Sequence, residues 1–439
     1  SNLSGFTGLV EVQQGALYVG NLSTENTGRD AEFNAERVLV HSGAQLITHM
    51  NGNDNTFSSD VDLMSGATFG NRDGHIAYNG DIRFNVQDAA AGTFDSNGTV
   101  HLYEYWSKIL TFNGVISGPG TVEMASSINE DGGATYVLTN GDNTFSGTYK
   151  LMDGSNSSRP VTLVLKHQNA AKDATISMQG STATAKLQLD TSATIAALNS
   201  TNANNVVTTT GAYTLTVSSG SFAGKLQNGS ETNTLALTKQ GNGTLTLSGA
   251  NTYTGATTVS GGTLELTGAV SMAAQSNISL ASGTTLLLNA TNTTAMALGN
   301  AISGTGTTTI HKKGAYETVL SGNVNVTTIN VKDGDNQATN AGTLTLSGDT
   351  VKADKLYAAY GTVNVGDGTD ATSMQVTRME LGDSSATAGS ASLNVKAAST
   401  LTVTGSNNSS DYKSASILLG EWNHGTNLNV AGKLLAPNA

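Results

Sequence analysis

Short alternating strands that recur along the chain constrain its fold more than any other feature. In each of them two or three apolar residues alternate with Thr, Asn or Glu, and Gly, Asn, Asp or Ser stands on either side. Examples are residues 244–247, 263–266, 343–346, 362–365 and 401–403. A period of two places the Leu and Val side chains on one face of a strand. No window has the sustained 3.6-residue period of a helix, so the sequence predicts an all-β chain.

The spacing of these strands selects the architecture. Leu245 and Leu264 hold equivalent positions in two such strands, and another strand-like piece, residues 257–259, lies between them. A span of about twenty residues with two or three short strands makes one coil of a β-solenoid. One coil leaves its edges unpaired and half a core open, so coils are stable only when stacked. A sandwich or a propeller is the alternative, but propeller blades need longer strands and a longer period.

The composition agrees with a repetitive chain and opposes several classes of function. Charged residues make up 12% of the chain, against about 25% in ordinary globular proteins, while abundant Thr and Val oppose disorder. A net charge of −12 opposes binding to nucleic acid or anionic lipid. Without Cys there is no disulfide or thiolate chemistry. The first residues resemble the middle of a repeat unit and the last ones include no closing element, and we therefore expect an excised piece of a longer protein.

Residues 239–266, KQGNGTLTLSGANTYTGATTVSGGTLEL, closely resemble the autotransporter-associated β-strand repeat. Residues 55–59 and 143–147 resemble its Asn-Thr-Tyr-Thr-Gly centre, and residues 116–121 and 302–307 resemble the turn before it. The resemblance implies a single-stranded, right-handed parallel β-helix on a Gram-negative cell surface or outside the cell. It also implies export through a C-terminal outer-membrane β-barrel, which these residues do not include.

The repeat centre has a physical logic. Each copy opens with an asparagine that is expected at a coil corner, where its amide can bond the next coil: Asn55, Asn143 and Asn251. Each has an aromatic residue two positions later that can cap the apolar interior: Phe57, Phe145 and Tyr253. Residues 1–340 are therefore predicted to form a β-helix with autotransporter-associated repeats. Residues 341–439 are predicted to continue it with a variant coil, because residues 363–365, 393–395 and 428–430 share an apolar-Asn-Val pattern.

Two sequence features resemble chemical sites without completing them. Gly382-Asp383-Ser384 resembles a nucleophilic serine motif, but no strand-turn-helix surrounds it, and a polar corner is the alternative. Carboxylates in the Gly-rich turns 333–335 and 366–370 suggest calcium loops. Calcium needs six to eight oxygens, and calcium-binding solenoids carry such loops in tandem. We therefore expect no catalytic residue, no metal and no cofactor.

The densest cluster of charged and aromatic residues lies at residues 72–108. Ile82 and Phe84 should point inward, which sends Arg83 outward, and the run from 101 to 108 is predicted to form a wider loop. Exposed rings bind sugars and partner proteins. The predicted ligand-binding residues are Arg83, Tyr103, Glu104, Tyr105 and Trp106. The alternative is that these rings cover a solenoid edge. A weaker patch surrounds Trp422, at residues 421–424.

The sequence thus predicts a structural or adhesive stalk rather than an enzyme. Its expected partner is a host or microbial surface glycan or protein, or a second copy in self-association between cells, and not nucleic acid. The first alternative is a β-helix enzyme, a lyase or glycosidase, that acts on polysaccharide along one face. The second is a spacer whose ligand site lies elsewhere in the parent protein.

Overall fold

The computed structural model describes residues 7–20, 33, 35–49, 55–72, 74–105, 109–126, 133–152, 159–179, 184–268, 270–333, 341–382, 390–405, 417–419 and 426–436. Across these ranges the chain forms strands and turns without a helix, so no helix in them could cross a membrane. Two compact units are present, residues 1–217 with 223–235 and residues 218–222 with 236–439. Each is a parallel β-solenoid, which confirms the predicted fold.

The first unit has three sheets, here called faces A, B and C. Face A contains β1 (Leu9–Val12), β3 (Arg37–Val40), β6 (Asp60–Met64), β9 (Ile82–Asp88), β10 (Thr93–Phe94) and β13 (Ile116–Ser117). Face B contains β2 (Ala16–Gly20), β4 (Gln45–His49), β7 (Thr68–Asn71), β11 (Thr99–Glu104), β14 (Thr121–Ser126), β16 (Thr148–Leu151), β18 (Ala171–Met178) and β20 (Ala193–Ser200). Face C contains β5 (Asn55–Phe57), β8 (Ile76–Tyr78), β12 (Ile109–Phe112), β15 (Ala134–Leu138), β17 (Val161–Leu165), β19 (Lys186–Leu189), β21 (Val206–Thr209) and β23 (Lys225–Leu226).

The second unit also has three faces, D, E and F. Face D contains β24 (Leu235–Lys239), β26 (Thr257–Val259), β28 (Ile278–Leu280), β31 (Ile302–Gly304), β34 (Val324–Val331), β36 (Thr350–Ala358), β38 (Ser373–Leu381), β40 (Thr400–Val403) and β43 (Lys433–Leu435). Face E contains the end of β22 (Tyr213–Phe222), whose first half belongs to the first unit. It also contains β25 (Thr244–Leu247), β27 (Thr263–Thr267), β29 (Thr284–Asn289), β32 (Thr308–Lys313) and β41 (Ile417–Leu419), and the second halves of β34, β36 and β38 join it. Face F contains β30 (Met296–Leu298), β33 (Thr318–Leu320), β35 (Thr343–Leu346), β37 (Gly361–Val365), β39 (Ala391–Val395) and β42 (Thr426–Val430).

The apolar core consists of rows of inward side chains that pass from coil to coil. Parallel pairing places each inward residue against its equivalent in the next coil. One row on face E is fully buried: Leu245, Leu264, Leu286, Ile310, Ile329, Leu356 and Met379. Thr244, the neighbour of the first residue in this row, is exposed. The inward and outward sides predicted for this strand from the sequence are therefore correct.

Two of the corner asparagines, Asn55 and Asn143, join successive coils through their side chains, as predicted. Asn143 is buried, and its Nδ2 donates to Ala170 O at 2.9 Å while its Oδ1 accepts from Ile116 N at 2.8 Å. One side chain therefore bonds the coil before it and the coil after it. Asn55 donates from Nδ2 to His75 O in the next coil, at 3.0 Å. Such bonds satisfy backbone groups that a buried corner would otherwise leave unpaired.

The third corner has a different arrangement. The side-chain amide of Asn251 donates to Gly249 O in its own turn, and its backbone N–H donates to Ser271 O in the next coil. All three aromatic residues of the repeat centres are buried: Phe57, Phe145 and Tyr253. The three rings therefore lie in the apolar interior.

Coil stacking continues in register across residue 340, because β34 pairs with β36 and β33 pairs with β35. The apolar-Asn-Val pattern of the later coils forms a ladder on the outward side of face F. Asn394 Nδ2 donates to Asn364 Oδ1, and Asn429 Nδ2 donates to Asn394 Oδ1, both at 2.8 Å. The ladder continues from Asn364 Nδ2 to Thr345 Oγ1 at 3.1 Å. The variant coil therefore replaces outward Thr with stacked amides.

Two lysines point into the second unit, which the sequence analysis did not predict. Lys239 and Lys312 are fully buried. Each Nζ donates to the carbonyls of the two residues after it and to one carbonyl of the next coil, Gly261 for Lys239 and Ala341 for Lys312, at 2.7–2.9 Å. Burial lowers the pKa of Lys312 to about 8, so the group is still largely an ammonium at neutral pH. Each ammonium links two coils at a corner.

Replacing Lys312 by Met should lower the free energy of unfolding by about 1–3 kcal/mol, because three carbonyls at the corner lose their shared donor. The matched control is Lys313→Met at the adjacent position, where Nζ lies 3.7 Å from Glu265 at the surface, and that variant should change stability by less than about 1 kcal/mol. Urea unfolding followed by circular dichroism measures both. Equal stability of the two variants would contradict a structural role for the buried ammonium.

Candidate ligand-binding site

A groove of about 460 Å³ lies on the outward side of face B, and it is called the face B groove below. Its lining residues come from successive strands and the segments after them: Gln45, Thr68, His101, Leu102, Tyr103, Tyr105, Glu123, Ala125 and Met152. In-register parallel pairing arranges outward side chains of neighbouring coils in rows, about 4.8 Å apart. The groove is therefore built from rows of residues that are distant in sequence.

The aromatic side of the groove is formed by two tyrosines over small residues. Tyr103 of β11 pairs with Gly70 of β7 and Ala125 of β14, which leaves space on both sides of its ring. The Tyr105 ring covers Gly70, since a Cβ on Gly70 would lie 3.5 Å from Tyr105 Cε2 and 3.1 Å from Ile47 Cδ1. The two tyrosine rings meet edge to face, with centroids 4.8 Å apart. Both are half-buried, so each offers an accessible apolar surface.

The polar side of the groove is a row of side chains held together by contacts to one carboxylate. Pairing aligns His101, Glu123 and Lys150 in three successive coils. Glu123 Oε2 lies 3.0 Å from His101 Nδ1, and Glu123 Oε1 lies 2.9 Å from Lys150 Nζ. Both carboxylate oxygens are thus engaged by neighbouring coils. This arrangement fixes the Glu123 side chain beside the tyrosines before any ligand arrives.

Arg72 lies next to the aromatic side. Tyr105 N donates to Asn71 O at 3.0 Å, which continues the pairing of β11 with β7 by one residue. Arg72, in the coil before Tyr105, is therefore its neighbour. The Arg72 side chain is exposed. Burial raises the pKa of Tyr105, with smaller contributions from Tyr103 and Tyr18, while the positive charge of Arg72 opposes the rise. The Arg72 charge therefore acts on the tyrosine hydroxyl.

Of the five predicted ligand-binding residues, the structure brings Tyr103 and Tyr105 together in the groove. Glu104 requires a correction. The alternation of β11 continues through residues 99–104 instead of becoming a loop at 101, so Glu104 points inward and is fully buried. It shares an inward row with the polar residues Asn71 and Ser126. Trp106 lies outside the described residues.

Arg83 also requires a correction. It points outward as predicted, but on face A, where it forms an ion pair with Asp62 of the preceding coil. Arg37 binds the same carboxylate at 2.9 Å, and Asp62 itself is fully buried. Two guanidinium groups therefore compensate one buried charge, and Arg83 stabilises face A rather than lining the groove.

Sequence reasoning missed Gln45, Thr68, Glu123 and Met152, because it did not group them with the aromatic cluster. The spacing between paired strands varies: His101 pairs with Thr68 of the preceding coil and with Glu123 of the next, and the first of these partners is farther away along the chain. These residues could have been grouped only with knowledge of how the strands of successive coils pair.

Among the weaker candidate sites, the structure describes the Gly-rich turn at residues 366–370. The Asp367 carboxylate accepts hydrogen bonds from Thr369 N at 2.8 Å and Thr369 Oγ1 at 2.7 Å, which closes a local turn. Asp383 and Ser384, residues 334–335 and the Trp422 patch lie outside the described residues. Within the part of the chain that the structure describes, no group of three His, Cys, Asp or Glu side chains is arranged to hold a metal ion.

Comparison with protein families identifies one segment. Residues 237–266 match the passenger-associated transport repeat, a repeat of autotransporter passenger domains. They span β25 and β26 completely and most of β24 and β27, in stacked coils of the second unit. No curated protein and no solved structure matches the chain. The repeat and the parallel solenoid fit an autotransporter passenger, which confirms the resemblance seen in the sequence.

Proposed function

We propose that this chain is part of a secreted or surface-displayed autotransporter passenger that acts as an adhesive stalk, with the face B groove as its attachment site. The observation that carries the proposal is the pair of half-buried rings of Tyr103 and Tyr105 on a solenoid face, where the Tyr105 ring covers Gly70. Much of the chain presents Thr, Ser and Asn outward, side chains that offer little apolar area. Tyrosine rings supply that area and lose little conformational freedom on binding.

The groove is organised for recognition without large rearrangement. The rings of Tyr103 and Tyr105 contact each other, and the Glu123 carboxylate is held by Lys150 and by the His101 ring. Because strand pairing fixes the backbone under these side chains, a ligand meets apolar faces and hydrogen-bonding groups already in place. Preorganised sites bind more tightly because less order is lost on association.

An enzyme acting on polysaccharide is the alternative function. Most glycosidases need two carboxyl groups about 5 to 10 Å apart across the scissile bond. Among the described residues that line the groove, Glu123 is the carboxylate, and its two oxygens are bound to His101 and Lys150. This arrangement favours binding over hydrolysis.

The proposal predicts that Tyr105→Ala and Tyr103→Ala each weaken attachment of the purified chain by about tenfold or more, because buried aromatic anchors dominate such sites. Melting temperatures should change by only a few degrees, since both rings lie outside the core. The readouts are a glycan array and binding of the labelled chain to host and bacterial cells. Trp106→Ala in the same assays tests the predicted contribution of Trp106.

The matched control is Tyr316→Ala, which removes a tyrosine that is 39% exposed in the second unit and should leave attachment unchanged. Selective binding without product release supports an adhesin. Release of shortened saccharides would support the enzyme instead. Absence of binding by the unaltered chain would identify a spacer, and attachment that survives both tyrosine substitutions would place the site elsewhere.

A further inference from the structure

Arg72 gives the aromatic side of the face B groove a positive charge that none of the described side chains pairs with. The side chain is exposed and forms no ion pair within the residues that the structure describes, although the chain as a whole carries a net charge of −12. The hydrogen bond from Tyr105 N to Asn71 O makes Arg72, in the preceding coil, a neighbour of Tyr105. An arginine next to an accessible aromatic face offers a ligand both a charge and a flat apolar surface.

The other charges of the groove are already balanced. Lys150 and His101 both contact the Glu123 carboxylate, at 2.9 and 3.0 Å. An anionic ligand at either of them would also meet the negative charge of Glu123. At Arg72 no described carboxylate has to be displaced. The charge pattern therefore directs a ligand's negative group towards Arg72 and its uncharged polar groups towards the His101–Glu123–Lys150 row.

We propose that the face B groove binds an acidic saccharide, with the apolar face of a pyranose ring on Tyr105 and the sugar carboxylate on Arg72. This inference rests on the proposed attachment function and names its ligand class. The planar guanidinium group of arginine binds a carboxylate through two parallel hydrogen bonds. Aromatic rings present flat surfaces to the C–H face of a sugar ring. Hydroxyl groups of the same or the next sugar can bond the polar row.

The dimensions of the groove fit a short saccharide. Its volume of about 460 Å³ lies within the range of about 300–1,000 Å³ for small-molecule sites. A stable protein partner needs about 800 Å² on each side of the interface, which extends well beyond these residues. The net charge of −12 disfavours an anionic lipid surface, because such a surface would face the whole chain rather than one arginine.

The test compares ligands that differ only in charge. Isothermal titration of the whole chain would use trigalacturonate against its fully methyl-esterified form, and sialyllactose against lactose. For at least one pair, the acidic ligand should bind about tenfold more tightly, because it alone can pair with Arg72. The difference should shrink at high salt, where a Debye length of about 3 Å screens charge interactions.

Two variants locate the charge. Arg72→Gln should remove the preference for the acidic ligand and leave binding of the neutral partner unchanged. Lys352→Gln is the matched control, because Lys352 is an exposed outward cation on β36 in the second unit, and it should keep the preference intact. Both positions are exposed, so neither change should alter folding.

The outcomes separate this inference from the proposed function. If neither pair shows charge-dependent binding, or if Arg72→Gln retains the preference, the acidic saccharide is excluded as the ligand. Attachment to cells that still depends on Tyr105 would then preserve the attachment function and indicate a neutral glycan or a protein partner. If attachment does not depend on Tyr105 either, both proposals are overturned.

Discussion

Replacement of Leu245 by Asp is expected to lower the free energy of unfolding by about 4–6 kcal/mol, whereas Thr244→Asp should change it by less than about 1 kcal/mol. Leu245 is fully buried and pairs with Leu264 in the next coil. Removal of a buried Leu side chain alone costs about 2–5 kcal/mol, and a carboxylate placed among apolar side chains adds its desolvation. Thr244 is exposed, so a carboxylate there remains in water.

Urea unfolding followed by circular dichroism measures this difference, with limited proteolysis to show whether the affected coils open separately. Proteolysis can detect such local opening because solenoid coils interact mainly with their nearest neighbours. The two substitutions differ by one position in the same strand, so they share backbone context and charge change. Equal losses of stability would mean that the assignment of inward and outward sides in β25 is wrong.

Replacement of Gly262 by Ala should cost about 3 kcal/mol or more, the second largest effect expected here. Gly262 lies in the passenger-associated repeat and has a φ of +63°, a conformation that costs other residues about 1–2 kcal/mol. A Cβ there would also lie 2.4 Å from Gly243 O and 2.6 Å from Gly241 O. Both oxygens belong to the backbone of the preceding coil, so the clash is relieved only by separating two coils at their corner.

The matched control is Gly268→Ala in the same coil. Gly268 has a φ of +65°, but the nearest atom to an added Cβ is Ser248 Cβ at 4.0 Å. This variant therefore carries the backbone strain without the clash and should cost only about 1 kcal/mol. Differential scanning calorimetry of both variants separates the two contributions. Equal destabilisation would show that backbone conformation alone, and not close approach of coils, requires glycine at 262.

The groove illustrates how a solenoid can build a binding site without a specialised loop. His101, Glu123 and Lys150 each occupy an ordinary outward strand position, and their neighbours in the chain are ordinary inward residues. Function then depends on which outward residues a row brings together. Changes at single outward positions can alter the ligand while the inward rows, and with them the fold, stay unchanged.

The sequence alone determined which side of each strand is buried, because the period of two is a local property that strand geometry converts directly into inward and outward sides. Leu245, Leu264 and the corner residue Asn143 could be placed in this way. Tyr103 and Tyr105 could also be recognised, since clustered aromatic residues are unusual in a chain dominated by Thr, Ser, Gly and Asn.

Only the tertiary structure decided which outward residues are neighbours. Coil length varies, so His101 meets Thr68 and Glu123 across unequal stretches of chain, and no single repeat length predicts both contacts. The same register placed Arg83 against Asp62 on another face and turned Glu104 into the interior. The physical reason is that alternation is encoded within one strand, whereas the register between strands depends on the turns and insertions of whole coils.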